Sequence, residues 1–307
     1  MQEGIVAANP KIVAVGGGKG GVGKSTVSIL LAFWFARMGK QTILVDADLG
    51  GANLHTFMGI KNPPKTLNDF VNKRYDSLEE ITLNTEIKNL YLIAGASDIL
   101  SLANIHISQK AKLIQNFARL DADYVVLDLG AGTSYNVLDF FLTAEKKVVV
   151  ITAQPTSIQN AYAFIRNTVY RRLNQLASQK SSLQAIIKAA MDTNNELKVR
   201  TVSELLQIIQ ELNGREAMAA LREEIRKIQP FLITNMTHTN RDNRAGGVIQ
   251  MVADKYLMIH SVDLGSIVYD QKLYATVTDM LPLTNLIQSS DAFASVYSMA
   301  MALLRDK

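Results

Sequence analysis

A glycine-rich segment near the start of the chain contains two lysines five residues apart. The segment GGGKGGVGKST occupies residues 16–26 and includes Lys19 and Lys24. It follows the apolar run KIVAV (11–15) and precedes the helical pattern VSILLAFWFARMG (27–39). Glycines at such positions let successive backbone N–H groups converge on an anion, and the start of a helix adds its positive dipole end. The spacing therefore predicts a phosphate-binding loop.

The residue types in this loop predict a site for ATP and Mg²⁺. Lys24 is placed to reach the β- and γ-phosphates of a nucleotide, and the Ser25 hydroxyl is placed to bind Mg²⁺. The other predicted nucleotide contacts in the loop are Gly18, Gly20, Gly21, Val22, Gly23 and Thr26. ATP and Mg²⁺ are therefore the expected cofactors.

Acidic residues follow two other apolar runs of the chain. Asp46 and Asp48 lie in ILVDADLGG, and Asp128 ends the run YVVLD. A two-residue separation at the end of a strand points both carboxylates the same way, so they can converge on one ion and one water. A buried acid without a partner is costly. Asp128 is therefore predicted to reach Mg²⁺ directly or through water.

Apolar runs alternate with helical patterns along the chain. Most of the runs are continuous, which is typical of strands buried on both faces of a parallel sheet. Seven strands are predicted, at residues 11–15, 42–46, 90–94, 124–128, 147–152, 231–234 and 264–269. This alternation predicts an α/β fold, with a doubly wound, mostly parallel sheet and helices on both faces. Functional loops then lie at the carboxyl ends of the strands.

Residues 156–228 interrupt this alternation. Helical segments with heptad-like apolar spacing flank a predicted loop at residues 190–201. Because the strand pattern resumes immediately afterwards, residues 156–228 are predicted to form a helical insertion within a single domain of residues 1–307. Residues 1–10 are interpreted as a short N-terminal extension. They lack the basic start and the apolar stretch of a signal peptide, so no signal peptide is predicted.

The composition is that of an ordinary globular protein and excludes thiol chemistry. The 307 residues carry a formal net charge of +4 and include no cysteine. Disulfides and iron–sulfur clusters held by thiolates are therefore excluded. No apolar run reaches the length of about 20 residues that a membrane span needs. We therefore expect a cytoplasmic protein.

The loop order K-G-G-x-G-K-[ST] resembles the signature of the deviant Walker A ATPases of the ParA/MinD family. In that family the signature lysine reaches across a nucleotide-sandwich dimer to the partner's phosphates, which the resemblance assigns to Lys19. It also places Asp46 near Mg²⁺ and Asp48 at the attacking water. Asn235 corresponds to an asparagine that binds the adenine edge, and Asp270 is a further candidate near the base or ribose.

Two segments look most like the FlhG branch of this family, the MinD-like regulators of flagellar number. They are DLGAGTSYNVLDFFLTA (128–144) and QPTSIQNAYAFIR (154–166). The resemblance implies a homodimer in the ATP state that hydrolyses ATP to control the placement or number of a structure such as flagella or the division site. It also implies a protein activator or cargo. The start MQEGIVAANP lacks the D-Q-A-x-x-L-R motif by which FlhG proteins activate a partner GTPase.

Other functions stay open from the sequence alone. A partition ATPase of the ParA type would bind non-specific DNA through basic residues. Candidates for that patch are Arg171, Arg172, Arg222, Arg226 and Lys227. Glu223 and Glu224 lie among them, which favours a solvated helix face. A metabolic ATP-dependent enzyme on the same scaffold is the third alternative.

The last segment, residues 290–307, is predicted to be a helix that packs against the sheet. It is apolar almost all round and lacks the basic face of an interfacial helix. Peripheral contact with the inner membrane is the alternative for this segment.

Overall fold

The computed structural model describes four stretches of the chain, residues 9–95, 105–192, 197–283 and 290–305. Three of the predicted segments fall partly outside them. These are the N-terminal extension, of which residues 1–8 lie outside the described residues, the loop at 190–201, of which 193–196 do, and the last segment at 290–307, of which 306–307 do.

One sheet of eight strands runs through the described residues. The strands are β1 (Lys11–Gly16), β2 (Thr42–Ala47), β3 (Leu83–Asn84), β4 (Leu90–Ile93), β5 (Tyr124–Leu129), β6 (Lys146–Ile151), β7 (Pro230–Thr237) and β8 (Val262–Val268). Their order is β3-β4-β2-β5-β1-β6-β7-β8. All neighbours are parallel except β3 and β4, which are antiparallel. The predicted doubly wound, mostly parallel sheet is confirmed.

Twelve α-helices accompany this sheet in the part of the chain that the structure describes. They are α1 (Lys24–Arg37), α2 (Leu54–Phe57), α3 (Leu67–Val71), α4 (Ile107–Phe117), α5 (Tyr135–Thr143), α6 (Pro155–Leu176), α7 (Ser181–Met191), α8 (Val202–Asn213), α9 (Arg215–Arg226), α10 (Ala245–Leu257), α11 (Gln271–Thr278) and α12 (Asp291–Arg305). Helices α1 and α12 contribute to one apolar core, and helices α4 to α10 contribute to another.

The two cores lie on opposite faces of the sheet. Ile12 and Ala14 of β1 belong to the core of α4 to α10, whereas Val13 and Val15 belong to the core of α1 and α12. Because successive side chains of a strand point to opposite faces, a central strand covered by helices on both sides needs apolar residues at every position. This explains the continuous apolar run of β1 and confirms the prediction of helices on both faces.

Helices α6 to α9 lie between β6 and β7, in the span predicted as a helical insertion. Helix α7 is not among the predicted helical segments. It follows α6 and extends over the first two residues of the predicted loop, Ala190 and Met191, so the loop prediction is wrong at these two positions. Gly214 separates α8 from α9 with a φ of 88°. This conformation is accessible to glycine at little cost and lets the chain turn between the two helices.

Buried ion pairs join helices α4, α5 and α6. Asp139 of α5 is 5% exposed and pairs with Lys110 of α4 and Arg171 of α6, whose Nε and Nη2 atoms lie 2.7 and 2.8 Å from the two carboxylate oxygens. Gln175 of α6 donates to the same carboxylate at 2.8 Å. Burial alone would raise the pKa of Asp139, but the bonds from the two cations outweigh it and the pKa is lowered. This charged cluster fixes the three helices relative to one another.

The last helix, α12, packs against α1 and β8 as the sequence predicts. The indole Nε1 of Trp34 in α1 donates to the carbonyl oxygen of Phe293 at 2.7 Å, and the Trp34 ring meets Tyr297 edge-on at 4.9 Å. Among the described residues, none of the helices combines the length and the apolar character needed to cross a membrane.

Candidate functional site

The glycine-rich segment forms the loop between β1 and α1, at the carboxyl ends of the parallel strands. Helix α1 begins at Lys24, directly after Gly23, which has a φ of 88°. Gly21 has a φ of 75°. Side-chain-bearing residues rarely adopt these angles. The loop therefore has the backbone shape that brings N–H groups to an anion at the start of a helix.

Gly18 is packed too tightly against α6 to accept a side chain. A Cβ atom at Gly18 would lie 2.0 Å from the carbonyl oxygen of Asn160, whereas one at Gly20 would meet nothing nearer than the Cβ of Ala131 at 4.0 Å. We expect Gly18→Ala to lower the free energy of unfolding by about 2–3 kcal/mol, because the backbone must move. The matched Gly20→Ala variant should change it by less than about 1 kcal/mol. Urea unfolding measures both, and equal losses would contradict the close packing of Gly18.

Lys24 is buried in the first turn of α1. Its side chain curls over the loop, so that Nζ donates to the carbonyl oxygen of Lys19 at 3.4 Å, and the residue is 8% exposed. Burial lowers the pKa of Lys24, while the negative charges of Asp128 and Asp48 act in the opposite direction. The loop thus holds a largely desolvated cation beside two carboxylates, with a charge suited to the phosphates of a nucleotide.

Two carboxyl groups lie side by side at the ends of β2 and β5. Asp46 and Asp128 are register partners on these neighbouring strands and are 1% and 2% exposed. Burial, together with the charge of Asp128, raises the pKa of Asp46 to about 8. Burial also raises the pKa of Asp128 to about 6, although bonds from Ser25 and Ser28 oppose the shift. Two adjacent buried carboxylates are stable as anions only when a cation offsets their repulsion.

The hydroxyl groups of α1 complete an oxygen-rich corner. Ser28 Oγ donates to Asp128 Oδ1 at 2.8 Å, and the Ser25 hydroxyl also bonds to the Asp128 carboxyl group. The three predicted metal ligands, Ser25, Asp46 and Asp128, therefore lie next to one another, and oxygen donors suit Mg²⁺. Sequence reasoning missed Ser28, although its position one helical turn after Lys24 is a signal for it.

The oxygen-rich corner contains two carboxyl groups, Asp46 and Asp128, fewer acidic ligands than a cation cage built from protein side chains alone. Among the described stretches, no group of three or more His, Cys, Asp or Glu side chains is arranged to hold a metal ion. This fits a Mg²⁺ that takes its remaining ligands from water and from substrate phosphates, as is usual in phosphoryl-transfer sites. The residues present are therefore compatible with Mg²⁺ bound together with a nucleotide.

Asp48 lies in the loop that follows β2. Its Oδ1 accepts a hydrogen bond from the Gly50 N–H at 3.1 Å. The loop after β5 approaches the same oxygen so closely that a Cβ at Gly130 would lie 2.8 Å from it. Asp48 therefore lies between two loops at the edge of the phosphate site, close enough to Lys24 for the two charges to interact.

Lys19 points away from the cavity beside its own loop. Its Nζ donates to Gln154 Oε1 at 3.4 Å and to Thr156 Oγ1 at 3.2 Å, both at the start of α6. Lys19 does not line the cavity that contains Lys24. Both of its contacts are uncharged, and within the described stretches it forms no ion pair. Its charge is therefore available to an incoming anion.

A cavity of about 350 Å³ lies beside the phosphate loop. Of the predicted nucleotide contacts, those that line it are Gly21, Gly23, Lys24, Ser25, Thr26, Asn235 and Asp270, whereas Gly18, Gly20 and Val22 do not. Three aromatic residues of the same lining, Phe57, Tyr269 and Tyr274, are not among the predicted contacts. Their aromatic rings belong to the site because of their tertiary position.

The two residues predicted near the base also have structural contacts. Asn235 Nδ2 donates to the carbonyl oxygen of Val22 at 2.9 Å and so braces the phosphate loop. Asp270 Oδ1 accepts from the N–H groups of Lys272 and Leu273 at 2.9 and 3.1 Å and caps α11. Their roles toward adenine and ribose stay predictions.

The fold and the loop define the class of protein. A strand, a glycine-rich loop and a helix with a buried lysine, next to a strand that ends in an aspartate, are the parts of a P-loop NTPase. The family match is more specific: residues 9–177 match the ParA family, described as NUBPL iron-transfer P-loop NTPases. The chain belongs to this ParA family. The iron transfer named for this family cannot depend on cysteine thiolates in this chain, because the sequence contains no cysteine.

Two curated relatives of the chain are flagellar proteins by name. The chain is 36% identical over 158 residues to the antiactivator FleN of Pseudomonas aeruginosa. The matched residues cover 51% of this chain and 55% of FleN. It is 34% identical over 163 residues to the flagellum site-determining protein YlxH of Helicobacter pylori. These residues cover 52% of this chain and 53% of YlxH. The chain therefore spans about half the length of these relatives.

A solved structure matches the fold along nearly the whole chain. It is the septum site-determining protein MinD from Pyrococcus horikoshii, complexed with Mg-ADP, with a TM-score of 0.64 and 18% identity over 96% of each chain. At this identity the likeness shows the fold alone.

Proposed function

We propose that this chain is a dimerising ATPase switch of the MinD/FlhG type. It hydrolyses ATP to ADP and phosphate, and it controls the placement or number of a cellular structure such as flagella or the division site. Membership of the ParA family and the relatives named as FleN and YlxH support this function. A protein activator or cargo would act on the dimer.

The residues of the site have separate tasks in this proposal. Lys24 and the loop N–H groups bind the phosphates, while Ser25 and Asp128 would hold Mg²⁺ with Asp46 beside them. When bound, Mg²⁺ would neutralise charge on the phosphates. Asp48 orients the attacking water, for which its position between two loops at the edge of the site is favourable.

The observation that carries the dimer proposal is the position of Lys19. Its ammonium group does not line the cavity of its own loop, and among the described residues it donates to the uncharged side chains of Gln154 and Thr156. Exposed hydrogen bonds of this kind contribute little net free energy, so Lys19 can exchange them for the phosphates of a second copy. A cation supplied in trans then stabilises charge on the transferring phosphoryl group, which makes hydrolysis depend on assembly.

Light scattering behind size exclusion tests the proposal. We expect Asp48→Ala, which blocks hydrolysis, to have the mass of a dimer with ATP·Mg²⁺ and of a monomer with ADP. The Lys19→Ala/Asp48→Ala variant should stay monomeric with ATP, whereas Lys40→Ala/Asp48→Ala, which changes an exposed lysine outside the loop, should still dimerise. If the mass were the same with ATP·Mg²⁺ and with ADP, while calorimetry showed that ATP is bound, the proposed switch would be overturned.

A further inference from the structure

A second cavity, of about 540 Å³, opens among the helices away from the phosphate loop. Residues of α4, α5, α6 and α9 line it, together with Lys147 near the amino end of β6. Strand β6 runs parallel to β1, and the phosphate loop follows the carboxyl end of β1. The second cavity therefore lies toward the opposite edge of the sheet from the nucleotide site, and it shares no lining residue with the cavity there.

The second cavity is strongly basic. Five cationic side chains line it, namely Lys110, Lys147, Arg171, Arg172 and Lys227. Two carboxylates line it as well, and each is already bound to two of these cations. Asp139 binds Lys110 and Arg171, while Glu224 binds Arg172 and Lys227. Five cations against two carboxylates leave a formal excess of three positive charges in a concave space.

Lys147 is the most buried of these cations, and no carboxylate in the described part of the chain lies within ion-pair distance of it. It is 6% exposed, and its Nζ donates to the carbonyl oxygen of Ala144 at 2.5 Å. It forms no ion pair with any residue in the described stretches. Burial lowers the pKa of Lys147 to about 8, and the charge of Arg172 acts in the same direction, whereas the negative charge of Glu145 opposes the shift.

A buried cation without a carboxylate at ion-pair distance destabilises a fold, and an apolar residue of similar length would fill the space at lower cost. A purely structural role therefore does not explain a lysine at position 147. A ligand that brings negative charge into the cavity does explain it, because binding would place a counter-charge in direct contact with the Lys147 ammonium group.

We propose that this cavity binds a small organic phosphate, whose diphosphate group lies among Lys147, Arg172 and Lys227. The volume is typical of sites for small molecules. Lysine and arginine are the side chains that bind phosphate oxygens most strongly. Ile107, Ile114 and Ile228 also line the cavity and offer an apolar wall to the rest of the ligand.

The same geometry argues against the DNA patch considered from the sequence. Three of its candidates, Arg171, Arg172 and Lys227, line a concave cavity. These three therefore do not form the open stripe along a surface that a duplex backbone needs.

Titration calorimetry tests the proposal independently of the proposed switch. The parent is Lys24→Ala, in which the phosphate loop lacks its cation, and the probes are inorganic pyrophosphate and ADP without Mg²⁺. We expect saturable binding of at least one probe, and Lys147→Met in this background should weaken it at least about tenfold, because a charge-assisted bond is lost. Lys61→Met, which changes an exposed lysine outside both cavities, should leave the affinity unchanged.

Each outcome of the titration decides a point. Equal binding of pyrophosphate and ADP would show that the diphosphate group suffices, and tighter binding of ADP would show that the apolar wall contributes. The absence of saturable binding by both probes, or equal affinity with and without Lys147→Met, would overturn the proposal. Thermal unfolding at pH 7 shows whether Lys147→Met is folded. We expect this variant to have the same Tm as its parent or a higher one, because it removes a buried charge that forms no ion pair.

Discussion

Replacement of Lys24 by methionine is expected to weaken the binding of ATP·Mg²⁺ at least about 100-fold, which corresponds to about 2.7 kcal/mol. The Lys24 ammonium lies over the phosphate loop beside Asp128 and Asp48. Without it, the nucleotide phosphates would face two carboxylates with one cation fewer, and an uncompensated buried charge is costly. Titration calorimetry with ATP·Mg²⁺ measures the loss.

The fold should tolerate this change. Methionine has a similar length to lysine, and removal of a desolvated charge offsets the hydrogen bond to the Lys19 carbonyl that is lost. Lys40→Met, at an exposed position after α1, is the matched control and should bind ATP·Mg²⁺ as the wild type does. An affinity for Lys24→Met within threefold of the control would show that Lys24 does not contact the phosphates.

Replacement of Asp48 by asparagine is expected to lower the turnover number for ATP hydrolysis at least about 100-fold and to change the affinity for ATP little. Asparagine keeps an oxygen that can accept the hydrogen bond from the Gly50 N–H, so the loop after β2 should keep its conformation. It lacks the negative charge with which a carboxylate orients water and draws its proton, and such groups contribute about 10²–10⁴-fold. Phosphate release at saturating ATP measures the turnover number.

Two comparisons make the Asp48 experiment decisive. Asp121→Asn, at an exposed position before β5, should keep the wild-type turnover number. If Asp48→Asn also kept it, another group would have to orient the water. If instead Asp48→Asn abolished ATP binding, the role of Asp48 would be to shape the site rather than to act on the water.

The sheet was largely predictable because its strands are buried on both faces. A central parallel strand needs continuous apolar residues, and this local signal located seven of the eight strands. The remaining strand, β3, has only two residues and pairs antiparallel with β4 at the edge of the sheet. Its place depends on a partner strand rather than on its own residues, so no local pattern could reveal it.

The candidate site was predictable where its residues stand at the ends of neighbouring parallel strands. Asp46 and Asp128 each end an apolar run, and the parallel register places them opposite each other. The bond from Asn235 to the Val22 carbonyl was not predictable, because it joins residues 213 positions apart. The basic cavity was not predictable for the same reason. In the sequence, Arg172 and Lys227 look like residues of a solvated helix face. They line one cavity because four helices pack around it.

Helix α6 extends from the phosphate loop to the basic cavity. It has 22 residues without a break, which corresponds to about 33 Å. Thr156 in its first turn contacts Lys19, and Arg172 in its last turns lines the basic cavity. A ligand in the basic cavity that shifted α6 along its axis would displace Thr156 together with Arg172, and would so alter the hydrogen bond that holds Lys19. By thermodynamic reciprocity, the proposed dimerisation through Lys19 would in that case change the affinity of the distant cavity by the same factor.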